Sequence, residues 1–154
     1  MVNVKGEGVS EALSPFTCMR FACQPGCTKC CSRRGSVYLT ESDLTRAAEY
    51  LGMTPSAFEA QYVIRYRRVL RLRKPPRGQN NCRFLTAGGC SIHAVKPTQC
   101  RTYPFWPSLI ASKTIWTIEG TFCPGIGTGE LVQIETAGKI AGELPLAFPS
   151  LPGF

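Results

Sequence analysis

Cys23-Gln24-Pro25-Gly26-Cys27-Thr28-Lys29-Cys30-Cys31 places four thiols within nine residues. Pro25 and Gly26 favour a turn, so the chain can curl there and aim several sulfurs at one point. Four more thiols follow at Cys82, Cys90, Cys100 and Cys123. Sulfur is the soft ligand that selects zinc, copper(I) or iron–sulfur centres over magnesium or calcium. The eight thiols would fill two four-cysteine sites, or serve one cluster plus a second ion. Cys30 and Cys31 are neighbours whose side chains diverge, so one of them is expected to face a second site or a distant ligand. The ninth cysteine, Cys18, stands apart and reads as a small buried hydrophobe.

The chain around this cluster has 154 residues and a formal charge of +8, with 18 Lys and Arg against 10 Asp and Glu. That length suits one compact domain with a tail. Hydrophobic residues make up 44%, which excludes a disordered polar chain. No apolar run approaches the length of a membrane-spanning helix. The opening Met1-Val2-Asn3-Val4-Lys5-Gly6-Glu7-Gly8 has no apolar stretch, so no signal peptide is read and a cytoplasmic setting is expected. Nine cysteines without a signal peptide point to metal rather than to a disulfide scaffold. Ligation also changes the charge. Eight thiolates with two divalent ions would lower +8 to +4, and four thiolates on one [4Fe–4S]²⁺ cluster would lower it to +6.

The expected architecture is a small metal-stabilised α+β domain, with two or three helices on short antiparallel strands and much irregular loop. Residues 1–16 read as a flexible arm, 17–143 as the cysteine-cluster domain and 144–154 as a Pro-rich tail. Ser36 to Leu39 reads as a short strand. Thr40 reads as a helix N-cap with Glu41 and Asp43 in the first turn, Leu44, Ala47, Ala48 and Leu51 on one face, and Gly52 as the stop. Thr54-Pro55 opens a second helix, with Phe58 and Tyr62 inward. Val69 to Arg73 alternates like a strand. Cys82 to His93 reads as a hairpin around Ala87-Gly88-Gly89. Thr114 to Phe122 alternates and is expected to be a strand. Cys123 to Gly129 is read as a tight glycine loop shaping Cys123, and Glu130 to Gly142 as a short helix.

The spacing Cys23-x₃-Cys27-x₂-Cys30 is the one that radical S-adenosylmethionine enzymes use to hold a [4Fe–4S] cluster, but this chain is too short for their barrel of strand–helix repeats. Cys123-Pro124 with its glycines suits an iron–sulfur environment, because Pro follows a cluster cysteine in bacterial ferredoxins and open amides can bond to sulfide. Iron, as an iron–sulfur cluster of the [4Fe–4S] type, is therefore the first expectation, and structural zinc the alternative. Together with Cys82-Arg83-Phe84-Leu85, Cys90-Ser91-Ile92-His93, Lys96-Pro97-x-x-Cys100-Arg101-Thr102-Tyr103-Pro104-Phe105 and Cys123-Pro124-Gly125, this order of cysteines resembles the YkgJ-type cysteine-cluster family, also described as a zinc- or iron-chelating CxxCxxCC domain. The resemblance covers about residues 16 to 130. It implies metal binding by Cys23, Cys27, Cys30, Cys31, Cys82, Cys90, Cys100 and Cys123. The family commonly has Tyr and Arg where this chain has His93 and Lys96. Flagellin lysine N-methylase resembles this chain in the cluster domain, which implies a possible link to S-adenosylmethionine-dependent protein methylation. Most members have no assigned activity.

Arg65, Arg67, Arg68, Arg71, Arg73, Lys74 and Arg77 place seven cations within thirteen residues without an acid. Such a run can track phosphates with Tyr66 available for stacking, so a polyanion or protein partner is the expectation there. The bland readings are a charged strand edge that resists aggregation, or a counter-charge for the thiolate site. His93, the sole histidine, is expected beside the metal rather than on it. Arg101 reads as a donor fork for an anionic cluster or substrate, and Tyr103, Phe105 and Trp106 as packing over the core. Gly125-x-Gly127-x-Gly129 lacks the Gly-Lys-Ser/Thr of a phosphate loop. No paired-carboxylate site or nucleophile elbow is visible.

Overall fold

The computed structural model describes residues 16–76, 79 and 81–152. All of the expected arm except Phe16 therefore lies outside the described residues, as does Arg77 of the basic run. Among the described residues there are six α-helices and seven short strands, and the strand pairs are antiparallel. The chain is thus α+β with much loop.

One half is built from β2 (Tyr38–Leu39), α2 (Glu41–Tyr50), α3 (Pro55–Tyr62), β3 (Val63–Tyr66) and β4 (Val69–Leu72). Thr40 caps α2 through a reciprocal capping box, its Oγ1 accepting from the Asp43 N–H at 3.0 Å while Asp43 accepts from the Thr40 N–H at 3.0 Å. Thr54 caps α3 and Pro55 occupies its first turn. The sheet runs in the order β2-β4-β3. Leu39, Leu44, Ala47, Phe58, Val63 and Leu70 form its buried core, which Phe84 and Ile92 join from the next segment. That segment is a hairpin of β5 (Leu85–Thr86) and β6 (Gly89–Cys90).

The other half pairs β1 (Cys18–Phe21) with β7 (Ile126–Gln133). It packs Met19 from β1, Trp116 from α5 (Lys113–Glu119), Ala137 from α6 (Ile134–Ala147) and Phe105 from a loop. Two expectations are corrected here. Thr114 to Phe122 is mostly the helix α5, capped by Ser112, whose Oγ accepts from the Ile115 N–H at 3.2 Å. Its helical spacing buries Trp116 and Glu119, three residues apart, and this burial outweighs the β-branched composition that suggested a strand. Part of the glycine loop, from Ile126, is strand, and the helix expected over 130–142 begins at Ile134. Helix α6 continues to Ala147, four residues into the stretch read as tail, with Leu144 and Phe148 buried.

Candidate metal centre

The cysteine turn is held from both sides. Cys27 N–H donates to the Gln24 carbonyl at 3.1 Å, closing the Pro25-Gly26 turn, where Gly26 has φ 71. Cys30 and Cys31 lie on α1 (Lys29–Ser32). From the far side, the Cys82 N–H donates to the Cys31 carbonyl at 2.9 Å, tying together segments distant in sequence. The glycine stretch serves the same end. A Cβ on Gly125 would sit 2.5 Å from the Ala22 carbonyl oxygen, and one on Gly129 would sit 2.5 Å from the Ala22 Cβ. Glycine at both positions lets β7 close against the residue that precedes Cys23.

Cys100 is carried by α4 (Thr98–Thr102), and side-chain bonds position that helix. The Thr98 hydroxyl donates to the buried Asp43 carboxylate at 3.0 Å. Gln99 accepts from the Tyr38 N–H at 2.7 Å and donates to the Ser36 carbonyl at 3.1 Å. The carboxylate of the α2 capping box thus also fixes the helix bearing a thiol.

Seven of the eight expected ligands, Cys23, Cys27, Cys30, Cys31, Cys82, Cys90 and Cys100, line one cavity of about 360 Å³. All nine cysteines are free thiols, so no cystine competes for them. Cys30 and Cys31 do not diverge to separate regions. One helical turn keeps both on the cavity, and the Cys31 thiol meets Cys30 and, across the cavity, Cys90. Its hydrogen bonds pull the Cys30 and Cys90 pKa values down to about 6, while those same contacts push Cys31 up. Burial raises Cys82 and takes Cys100 to about 12. Among the described residues no three His, Cys, Asp or Glu side chains are arranged so that they could hold a metal ion. The sulfurs share a cavity without yet sharing a coordination sphere, and side-chain rotations would be needed to converge them.

Cys123 is not among the lining residues. It is buried on α5's side, where its N–H donates to the Glu119 carbonyl at 2.9 Å. Beside it the Glu119 carboxylate accepts from the Tyr103 hydroxyl at 2.6 Å and from Arg33 at 2.7 Å. Burial, then the bond to Glu119, raises the Tyr103 pKa. Arg33 spans both regions, since it also lines the cavity. His93 lines the cavity too, with its Nε2 3.5 Å from the Lys96 ammonium. Arg101 points elsewhere, to Glu143 at 2.5 Å.

The donor set fits a soft metal. Seven sulfurs from separate segments, with no carboxylate among the lining residues, suit thiophilic ions. The ordered cysteines decide the family. The chain belongs to the CxxCxxCC family, whose description is "Putative zinc- or iron-chelating domain" and whose model matches residues 22–124. Membership supports metal binding by the cysteines. The CxxCxxCC name writes two residues between its first two cysteines, whereas this chain has three, and Gly26 at positive φ closes the longer turn. No solved structure matches the chain.

Two features escaped the sequence reading. Asp43, Thr98 and Gln99 position Cys100, but nothing local in Thr98-Gln99 announces partners more than fifty residues away. Arg33 and Arg34 line the cavity without having been singled out, whereas Arg73 and Lys74, from the far end of the basic run, lie where a counter-charge to the thiols would. Within that run Arg65 is paired with both Glu41 and Glu59, so it is not available for phosphate. Among the described residues no helix is long and apolar enough to cross a membrane.

Proposed function

We propose that the cavity thiols hold iron, as an iron–sulfur cluster of the [4Fe–4S] type, and that the protein serves a redox or sensory role. The observation that carries this reading is the gathering of seven thiols on one cavity of about 360 Å³. A structural zinc site needs four ligands and closes tightly around them. Seven thiols in a roomier cavity suit a polynuclear centre better. Such a centre supplies one-electron exchange when bound. The cluster would take its four ligands from Cys23, Cys27, Cys30, Cys31, Cys82, Cys90 and Cys100, and the remaining thiols would serve a second ion or keep their protons. Cys123 enters as the outlying thiol beyond Arg33. Lys96, close enough to lower Cys30 and Cys90 by its charge, would stabilise thiolate ligands, and buried Phe84, Ile92 and Pro97 exclude water from the inner wall.

Metal analysis with absorption spectra on anaerobically purified protein tests this. Iron with broad absorption near roughly 400 nm is the expected result. A colourless protein with stoichiometric zinc would overturn the iron reading and leave structural zinc. A separate observation favours a second surface. Tyr66 is 69% exposed at the β3–β4 hairpin, with the Arg67 guanidinium 5.4 Å from its ring centroid and Arg68 exposed beside it. That tip offers stacking and charge to a polyanion. Nucleic-acid binding that falls steeply with salt and is lost on Arg67→Glu would support it, and unchanged binding would refute it.

A further inference from the structure

The metal reading leaves a charge unexplained. Five cations besides Arg33 line the cavity: Arg34, Arg73, Lys74, Arg83 and Lys96. Arg33 is committed to Glu119. Among the described residues Arg34, Arg73 and Lys74 make no ion pair with a carboxylate. Arg83 lies over the Tyr62 ring at 5.8 Å, a contact that leaves its charge intact. Among the described residues no Asp or Glu lines the cavity.

The metal centre does not use up this charge. Four thiolates on a [4Fe–4S]²⁺ cluster carry two net negative charges. Seven thiolates on two divalent ions carry three. Five cations exceed either total, and any thiol that keeps its proton widens the surplus. The positions point the same way. Lys96 is half-buried near Cys30 and Cys90, where it serves the thiolates, whereas Arg34, Arg73 and Lys74 are exposed at the mouth. Arg73 is also fixed at its backbone, its N–H donating to the Tyr62 carbonyl at 2.7 Å. Apolar wall remains beside them at Val37, Leu72 and Phe84.

We propose that the cavity is also a binding site for a small organic anion bearing two or more acidic groups, held by Arg34, Arg73 and Lys74 beside the metal centre, with its apolar part against Val37, Leu72 and Phe84. This deepens the metal reading and rests on it. Guanidinium pairs recognise planar or tetrahedral oxyanions through paired donors, and the low-dielectric wall strengthens them.

Naphthalene disulfonate is a suitable probe, because it joins an apolar body to two anionic groups that are poor metal ligands. It is titrated calorimetrically into the full chain carrying its metal, with metal content measured on the same sample. Saturable binding that weakens with salt is expected. The Arg34→Ser/Arg73→Ser variant should bind about tenfold more weakly or worse at unchanged metal content. Arg34→Lys/Arg73→Lys, which keeps the charge but loses the paired donors, should bind between the two. If the serine pair does not fold, the exposed Lys74→Ser variant, read in the same titration, must still weaken binding. A metal-loaded protein that ignores the probe, or serine variants that bind it undiminished, would overturn this inference and leave the metal reading intact. A protein without metal would overturn both.

Discussion

Thr98→Val replaces one hydroxyl with a methyl of nearly equal volume on the helix that carries Cys100. The hydroxyl donates to the Asp43 carboxylate at 3.0 Å, with Thr98 only 9% and Asp43 1% exposed. A hydrogen bond to a buried charge contributes about 1.5–3 kcal/mol. Asp43 keeps its bonds from the Thr40 N–H and Arg46, so the charge is not orphaned and the lower half of that range applies. We expect a loss of about 2 kcal/mol, which for a chain of this size lowers Tm by about 5 °C. The assay is denaturant and thermal unfolding of the metal-loaded protein, with Thr117→Val as control. Thr117 donates its hydroxyl to the backbone carbonyl of Lys113 instead of to a carboxylate, and it is exposed, so its change should stay within about 0.5 kcal/mol. Asp43→Asn in a double-mutant cycle isolates the coupling. If Thr98→Val matches the control, the carboxylate does not anchor the Cys100 helix and the account of how that thiol is positioned is wrong.

Three other outcomes follow from the same geometry. Cys31→Ser should lower metal stoichiometry measured by mass spectrometry, because Cys31 touches both Cys30 and Cys90, whereas Cys18→Ser, on β1 away from the cavity, should leave it unchanged; equal effects would remove the distinction. Gly125→Ala should cost about 1–3 kcal/mol by steric overlap with the Ala22 carbonyl, while Gly127→Ala, with open space but φ 86, should cost about 1 kcal/mol from backbone strain alone; the reverse order in unfolding measurements would contradict the close approach of β7 to Cys23. In the metal-free chain, Cys30 and Cys90 should be alkylated by iodoacetamide with a midpoint near pH 6, against the ordinary value of 9.0. Because both pKa values are depressed on folding, the stability they contribute is present above pH 9 and is lost as pH falls through about 6; a midpoint near 9 by peptide mapping would refute the Cys31 contacts.

What the sequence disclosed and what it hid divide by range. Helix α2 was legible because Thr40, Asp43, Leu44, Ala47 and Gly52 lie within thirteen residues and each signals locally. The Leu85–Cys90 hairpin was legible for the same reason, its Ala87-Gly88 turn lying between the strands and Gly89 opening β6. Segment 113–119 misled because Thr114, Ile115, Thr117 and Ile118 favour strands, while the decisive burial of Trp116 against Met19 and Phe105 is tertiary. Strand β7 was hidden because its partner β1 lies over a hundred residues earlier, and Gly127 and Gly129 look like loop until Ala22 is seen against them. At the site, residue types and spacing announced soft ligands. They did not show that Cys123 would stand with Tyr103 and Glu119, or that Arg34 would join Arg73 and Lys74 on the cavity.

X-ray absorption at the metal edge of the intact, anaerobically purified protein bears most directly on the central claim. Gathered thiols predict a first shell of sulfur alone at about 2.3 Å, with a further iron shell if the centre is a cluster. A first shell of nitrogen and oxygen, or a protein that retains no metal at all, would contradict it.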